Sequence, residues 1–271
     1  MIEKIFVFVF GSIVGSFLNV CIHRMPSEGY SLVRPSSHCP HCKKPISWFD
    51  NIPLLSYMLL AGKCRSCRKP ISLRYFIVEL LTAAAFLFLY DNFGFSYNFL
   101  FCALFICLLI VATFVDIAHR IIPDEISVGG IVAGFILRSA AGISVKPPAF
   151  DYHPLLNSLF GIIAGGGIIY LTGLLFDLVY FKLLKRPPIQ GETESMGGGD
   201  VKLLAMIGAF LGWERALLTF FIAPFFGVVI GIINLVAKKY HTIPYGPFLS
   251  MAAVLSLFWA ERIINMAVFA R

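Results

Sequence analysis

Eight apolar runs recur along the chain, at 5–22, 75–90, 99–115, 126–143, 155–181, 200–213, 216–237 and 247–269. Most approach the roughly 20 residues that a helix needs to cross the hydrocarbon core of a bilayer. The pattern predicts an all-α polytopic membrane protein of about eight transmembrane helices. The run at 200–213 is short for a full crossing, which suits a helix that starts inside a cavity. Composition agrees: 58% of the 271 residues are hydrophobic and 14% charged, where a soluble domain carries about 25% charged residues. No small-residue cleavage site of the A-x-A kind follows the first run, so it is expected to stay as a span and not to leave as a signal peptide. Gly11, Gly15 and Ser16 give it a small-residue face for helix packing.

A formal net charge of +7 invites a nucleic-acid reading. The basic residues cluster in the loops between apolar runs, however, which is what orientation in a lipid bilayer produces, so no nucleic-acid partner is expected. Sixteen of the 22 Lys and Arg residues fall on one side, with the polar insertion 23–74 and the loops near Arg120, Lys182, Lys202 and Lys238. The positive-inside rule places that side in the cytoplasm. The expected organisation is a first transmembrane helix at 1–22, a cytoplasmic module at 23–74 and a transmembrane core at 75–271.

The insertion is too short for a large core and needs a staple. Cys39-Pro40-His41-Cys42-Lys43-Lys44-Pro45-Ile46-Ser47 and Cys64-Arg65-Ser66-Cys67-Arg68-Lys69-Pro70-Ile71-Ser72 repeat one pattern, C-x-x-C-x-K-P-I-S. Each copy is a turn presenting two thiolates, and two such turns facing each other make a tetrahedral four-thiolate site for structural zinc on Cys39, Cys42, Cys64 and Cys67. The 21 residues between Cys42 and Cys64 lie just beyond the common spacing, which the repeat outweighs. Iron or a redox dithiol are the competing readings. His38 and His41 read as exposed loop residues. Cys21, Cys102 and Cys107 lie in apolar runs and read as small buried hydrophobes.

Gly197-Gly198-Gly199-Asp200 runs three glycines into a carboxylate that opens an apolar segment. A charge at mid-bilayer costs about 2.5–3.5 kcal/mol on insertion scales, so Asp200 asks for a partner, a wet cavity or a task. Asp116, at the end of another run, is the best partner, and both acids fall at the cytoplasmic end of their spans. Two carboxylates in close approach do not both ionise easily, which splits them into a base that draws a proton from water and an acid that donates to a peptide carbonyl. Simpler readings stand beside this one. Asp200 caps its helix, Asp116 pairs with Arg120 one turn on, and Asp124 after Pro123 caps the next helix. Glu79 is paired with Arg74, Asp177 with Lys182 and Glu261 with Arg262 by proximity in sequence. Gly165-Gly166-Gly167 reads as a close helix contact. A proton-coupled transporter and a membrane-anchored zinc adaptor are the rival functions.

Taken together these residues resemble the bacterial type IV prepilin peptidases, the aspartic leader peptidases of pilus and type II secretion systems. The resemblance runs through Gly15-Ser16-Phe17-Leu18-Asn19-Val20 with His23-Arg24-Met25-Pro26, the two cysteine pairs and Asp50-Asn51-Ile52-Pro53-Leu54-Leu55-Ser56-Tyr57 between them. It continues through Arg74-Tyr75 with Val78-Glu79, Asp116 ahead of Ile122-Pro123-Asp124, and the G-x-G-D pattern ending at Asp200. It implies a multi-pass protein of the bacterial inner membrane with Asp116 and Asp200 as catalytic acids facing the cytoplasm. The implied substrates are prepilins and pseudopilins, cut after a glycine to release a short basic leader. It also implies N-methylation of the new N-terminal residue with S-adenosylmethionine, for which no binding residues are carried over.

Overall fold

The computed structural model describes residues 1–27, 31–33, 36–141, 153–185, 197–236 and 244–269. Among them helices make up most of the chain, with two isolated β-bridges, His38 to Pro45 and Lys63 to Pro70, in the irregular stretch between the first two long helices. The helices are α1 (Ile2–Arg24), α2 (Leu55–Leu59), α3 (Leu73–Phe93), α4 (Tyr97–His119), α5 (Asp124–Ala141), α6 (Pro154–Asp177), α7 (Gly198–Leu211), α8 (Trp213–Val236) and α9 (Gly246–Phe269). Each apolar run of the sequence becomes one of the long helices or α7, with ends shifted by a few residues. Of these, α1, α3, α4, α6, α8 and α9 are long and apolar enough to cross a membrane, α6 together with its π-helical extension Leu178–Leu183. The helices α5 and α7 do not meet that criterion. Several basic residues of the orientation argument, Arg34, Lys146, Arg186, Lys238, Lys239 and Arg271, lie outside the described residues.

Local chemistry sets the boundaries. Ser72 caps α3 by accepting the Arg74 N–H, and Gly94, at φ +59°, ends it. Gly212, at φ +88°, ends α7 in the same left-handed region, which glycine enters without steric cost. Arg120 is left-handed at φ +57° and closes α4 ahead of Pro123.

Two compact units divide the chain, Met1–Val111 and Ala112–Arg271, with the boundary inside α4. In the first, α1 packs along α3. Gly11 meets Ala83 and Phe86, and a Cβ on Gly15 would stand 2.7 Å from the Glu79 Cα, so the small-residue face expected on α1 is the contact itself. Cys21, Cys102 and Cys107 are buried, as their apolar neighbours in sequence foretell.

In the second unit α7 packs against α5, α6, α8 and α9. Nine consecutive residues, Leu203–Leu211, are buried, as expected of a helix that is apolar on every side. Fourteen residues span about 21 Å at 1.5 Å each. Protein therefore surrounds most of this short helix. Its closest neighbour is α6, where Gly161 lies against Gly208 so tightly that a Cβ on either would overlap the other's carbonyl. Gly165 and Gly166 face Leu204 and Ala205, while nothing stands within 4 Å of a Cβ placed on Gly167. Two members of the triplet thus make the close contact read from the sequence. Carbonyls at the end of α7, which have no intrahelical partner, are taken by side chains: Ser158 donates to Ala209 over 2.8 Å and Arg138 to Phe210 over 2.5 Å.

Candidate functional site

Asp116 sits in the last turn of α4 and is 6% exposed. Asp200 sits in the first turn of α7, where Gly197 is the capping residue and helix begins at Gly198. Asp200 is therefore the third helical residue and not the cap. The second unit brings the two together closely enough that the charge of Asp116 acts on Asp200. Around them the glycine triplet divides its work. Gly199 packs on Ile122, whose Cβ would stand 3.2 Å from an added methyl; a methyl on Gly197 would stand 3.5 Å from Asp200 Oδ2; and one on Gly198 would meet open space. Bare backbone beside a carboxylate leaves room for an extended peptide to approach.

Residues at the start of α9 complete the site, and sequence reasoning passed over them. The Gly246 N–H donates to Asp116 Oδ2 over 2.8 Å, in a buried contact. A Cβ at that position would stand 2.7 Å from the same oxygen, so the approach requires glycine. Tyr245, its neighbour, is near enough to feel the charge of Asp200. Pro244-Tyr245-Gly246-Pro247 is a turn-and-helix-start signature before an apolar run, the one signal that could have drawn attention there.

Other acids resolve differently. Asp124 is the first residue of α5 and pairs with Lys202 over 2.6 Å in an exposed contact. Arg120 lies within electrostatic range of Asp116. Glu261 meets Arg215, across the helix pair, at 3.7 Å. Glu79 accepts the Leu54 N–H over 2.8 Å, whereas Arg74, its expected partner, places its guanidinium 5.3 Å from the centre of the Tyr75 ring.

The repeated cysteine sequence folds into a repeated structure. In the first copy Lys43 N–H donates to the Cys39 carbonyl over 2.9 Å and Cys39 N–H to Lys44 over 3.0 Å. In the second, Arg68 donates to Cys64 and Cys64 to Lys69, each over 2.9 Å. Lys43 and Arg68, the residues after the second cysteine of each copy, both take φ +59°. All four sulfurs lie within 4.8 Å of one another, with Cys39 and Cys67 at 3.8 Å. Zinc–thiolate bonds of about 2.3 Å in a tetrahedron place sulfurs about 3.8 Å apart, so the cluster fits the ion. Backbone N–H groups, that of Cys42 foremost, hold the Cys39 thiol down to about 6, while against the Lys69 backbone N–H, burial and the neighbouring thiols push that of Cys67 up to about 11, so the four sulfurs do not all ionise together without a cation among them. Arg65 clamps the second turn to the 3₁₀ turn Trp48–Asn51 through a bidentate pair with Asp50, at 2.6–3.0 Å, and holds the Asp50 carboxyl below the usual range.

An all-helical polytopic membrane protein with a buried carboxylate pair and a four-thiol cluster is the class these features define. Residues 9–93 match the model of the bacterial peptidase A24 N-terminal domain, and residues 103–232 that of the type IV leader peptidase family. A prepilin leader peptidase/N-methyltransferase of Aeromonas hydrophila is 34% identical, over 95% of the chain and 91% of that relative. One of Pseudomonas aeruginosa is 33% identical over 93% of the chain and 89% of its own length. One of Myxococcus xanthus is 37% identical over 86% of the chain, which spans 63% of that longer relative. No solved structure matches. The chain belongs to the type IV leader peptidase family.

Proposed function

We propose that the chain is a membrane aspartic endopeptidase in which Asp116 and Asp200 are the catalytic acids. The observation that carries this is their proximity: two carboxylates from different helices, one largely buried, lie within electrostatic reach of each other beside a glycine-rich backbone with open space at Gly198. The Gly246 donor occupies one oxygen of Asp116 and orients the other. Asp116 is thereby the member placed to accept a proton from an attacking water, and Asp200 the one to donate to the peptide carbonyl. A substrate helix lying in the bilayer presents its membrane-edge peptide bond, and its binding supplies position while the acids supply proton transfer.

The relatives' names support removal of a prepilin leader and N-methylation; the resemblance read from the sequence adds pseudopilins as substrates, cleavage after glycine and a site at the cytoplasmic face of the inner membrane. The charge pattern of the loops supports that orientation. Cys39, Cys42, Cys64 and Cys67 would hold structural zinc, a closed site that organises the insertion 23–74 and leaves the core 75–271 to carry proteolysis. S-adenosylmethionine, when bound, supplies a methyl group on sulfonium sulfur.

Cleavage of a prepilin-like substrate in membranes by wild type, Asp116→Asn and Asp200→Asn tests the dyad. Loss of cleavage in each variant at equal protein level is expected; near-normal cleavage by either overturns it.

A further inference from the structure

The first unit holds a buried acid that proteolysis leaves idle. Glu79 lies in the second turn of α3 and is 8% exposed. It accepts the Leu54 N–H on Oε2 over 2.8 Å, with the Ser16 side chain of α1 close beside it. A carboxylate offers about four lone-pair sites, so capacity remains. Asn19, on α1, is 2% exposed; its Nδ2 donates to the Tyr75 carbonyl over 3.0 Å, and its Oδ1 is buried without a partner. Leaving a buried acceptor unmade costs about 1–3 kcal/mol, so an orphan of this kind asks for a ligand. Ser16 and Asn19 are neighbours one turn apart on α1, as Tyr75 and Glu79 are on α3. The contacts Ser16 to Glu79 and Asn19 to Tyr75 therefore place the spare oxygens of Glu79 and Asn19 on one face of the helix pair. At the same end the Nε of Arg74 is buried and has no acceptor.

A negatively charged acceptor, a neutral acceptor and a spare donor complement one chemical group well, a free polypeptide N-terminus, which offers an ammonium and, two bonds on, a carbonyl oxygen. We propose that Glu79 and Asn19 receive the ammonium of a cleaved substrate and that Arg74 donates to its first carbonyl, making this the amine site for methyl transfer. The proposal rests on the N-methyltransferase reading above. Glu79 takes one proton from the ammonium and frees the amine lone pair. A carbon–nitrogen bond then forms to the sulfonium methyl as its carbon–sulfur bond breaks. The bond electrons leave on sulfur as a neutral thioether, the product is a secondary ammonium, and Glu79 returns its proton to water. The Leu54 N–H, bonded to Glu79, positions it, with Ser16 alongside.

A purely structural role, tying down the Leu54 turn at φ +61°, makes the opposite prediction for one conservative change. Glu79→Gln keeps the acceptor for Leu54 and removes the base. Full-length protein in detergent, given a prepilin-like substrate and labelled S-adenosylmethionine, is expected to lose methylation by about 10²-fold or more while cleaving within about two-fold of wild type. A second readout needs no methyl donor: binding of a peptide with the mature N-terminus, free or N-acetylated. Wild type is expected to prefer the free amine by about ten-fold, and Glu79→Gln and Asn19→Leu to lose that preference. Normal methylation by Glu79→Gln, parallel loss of cleavage and methylation, or an unchanged amine preference overturns the assignment. Absence of methylation by the wild type removes the N-methyltransferase reading alone, and the amine preference then decides whether the site binds an N-terminus.

Discussion

The Gly246 N–H and Asp116 Oδ2 meet at 2.8 Å although 130 residues separate them in sequence. The contact fixes one of the two acids, and it admits no side chain, since a Cβ would stand 2.7 Å from the oxygen it serves. Gly246→Ala must displace the start of α9 or rotate the carboxylate. A misplacement of about 1 Å is worth about 10²-fold in rate, so cleavage is expected to fall by that order while the protein still accumulates in membranes. Initial rates on a prepilin-like substrate, normalised to protein level, check this.

The exposed pair of Asp124 and Lys202 provides the contrast. Exposed ion pairs contribute about 0–1 kcal/mol. Asp124→Asn is expected to keep cleavage within a few-fold of wild type in the assay that Asp116→Asn fails. A loss as deep as that of Asp116→Asn would place Asp124 among the catalytic acids.

Helix packing around α7 depends on individual glycines. Gly161→Ala and Gly208→Ala each force a methyl into a backbone carbonyl, and overpacking of this kind costs about 1–3 kcal/mol. Gly167→Ala meets open space and is expected to stabilise by about 0.4–1 kcal/mol, since it lowers the entropy of the unfolded chain. Thermal melts of the three variants in one detergent should separate them in sign.

Zinc content is expected to be one ion per chain in purified protein, measured by elemental analysis, and Cys39→Ser or Cys64→Ser is expected to lower it sharply. Prolonged chelation should expose the insertion to protease and reduce cleavage less than an Asp116 or Asp200 substitution does.

The left-handed Lys43 and Arg68 carry a conformational cost of about 1–2 kcal/mol that glycine does not. Lys43→Gly and Arg68→Gly are expected to retain zinc and to resist chelation at least as long as wild type, whereas Lys43→Val should release it sooner. Metal-release kinetics with a chromogenic chelator measure the order.

Helix positions were legible because burial in lipid and burial in protein demand the same long apolar runs. That equivalence also concealed a difference. Hydropathy cannot separate α7, enclosed by four helices, from a segment that faces lipid, and only its 14-residue length hinted at it. Asp116, Asp200 and the cysteine pairs stand out in the sequence because each is costly or repeated. Gly246 does not, because its value lies in a contact with a residue 130 positions away. The partner of Glu79 was misread because the nearest opposite charge in sequence was chosen, while folding supplied the Leu54 N–H; the Arg215 partner of Glu261, 46 positions away, was equally invisible.

The enclosure of α7 bears on how the protein responds to different lipids. A helix bathed in acyl chains answers a thicker or thinner membrane by tilting or by deforming the bilayer around it. With Leu203–Leu211 in contact with neighbouring helices, α7 is exempt from that adjustment. Thickness is instead absorbed by the outer helices, whose exposed residues include Phe225, Val228 and Ile232. The position of Asp200 is thereby insulated from the composition of the membrane in which the protein resides.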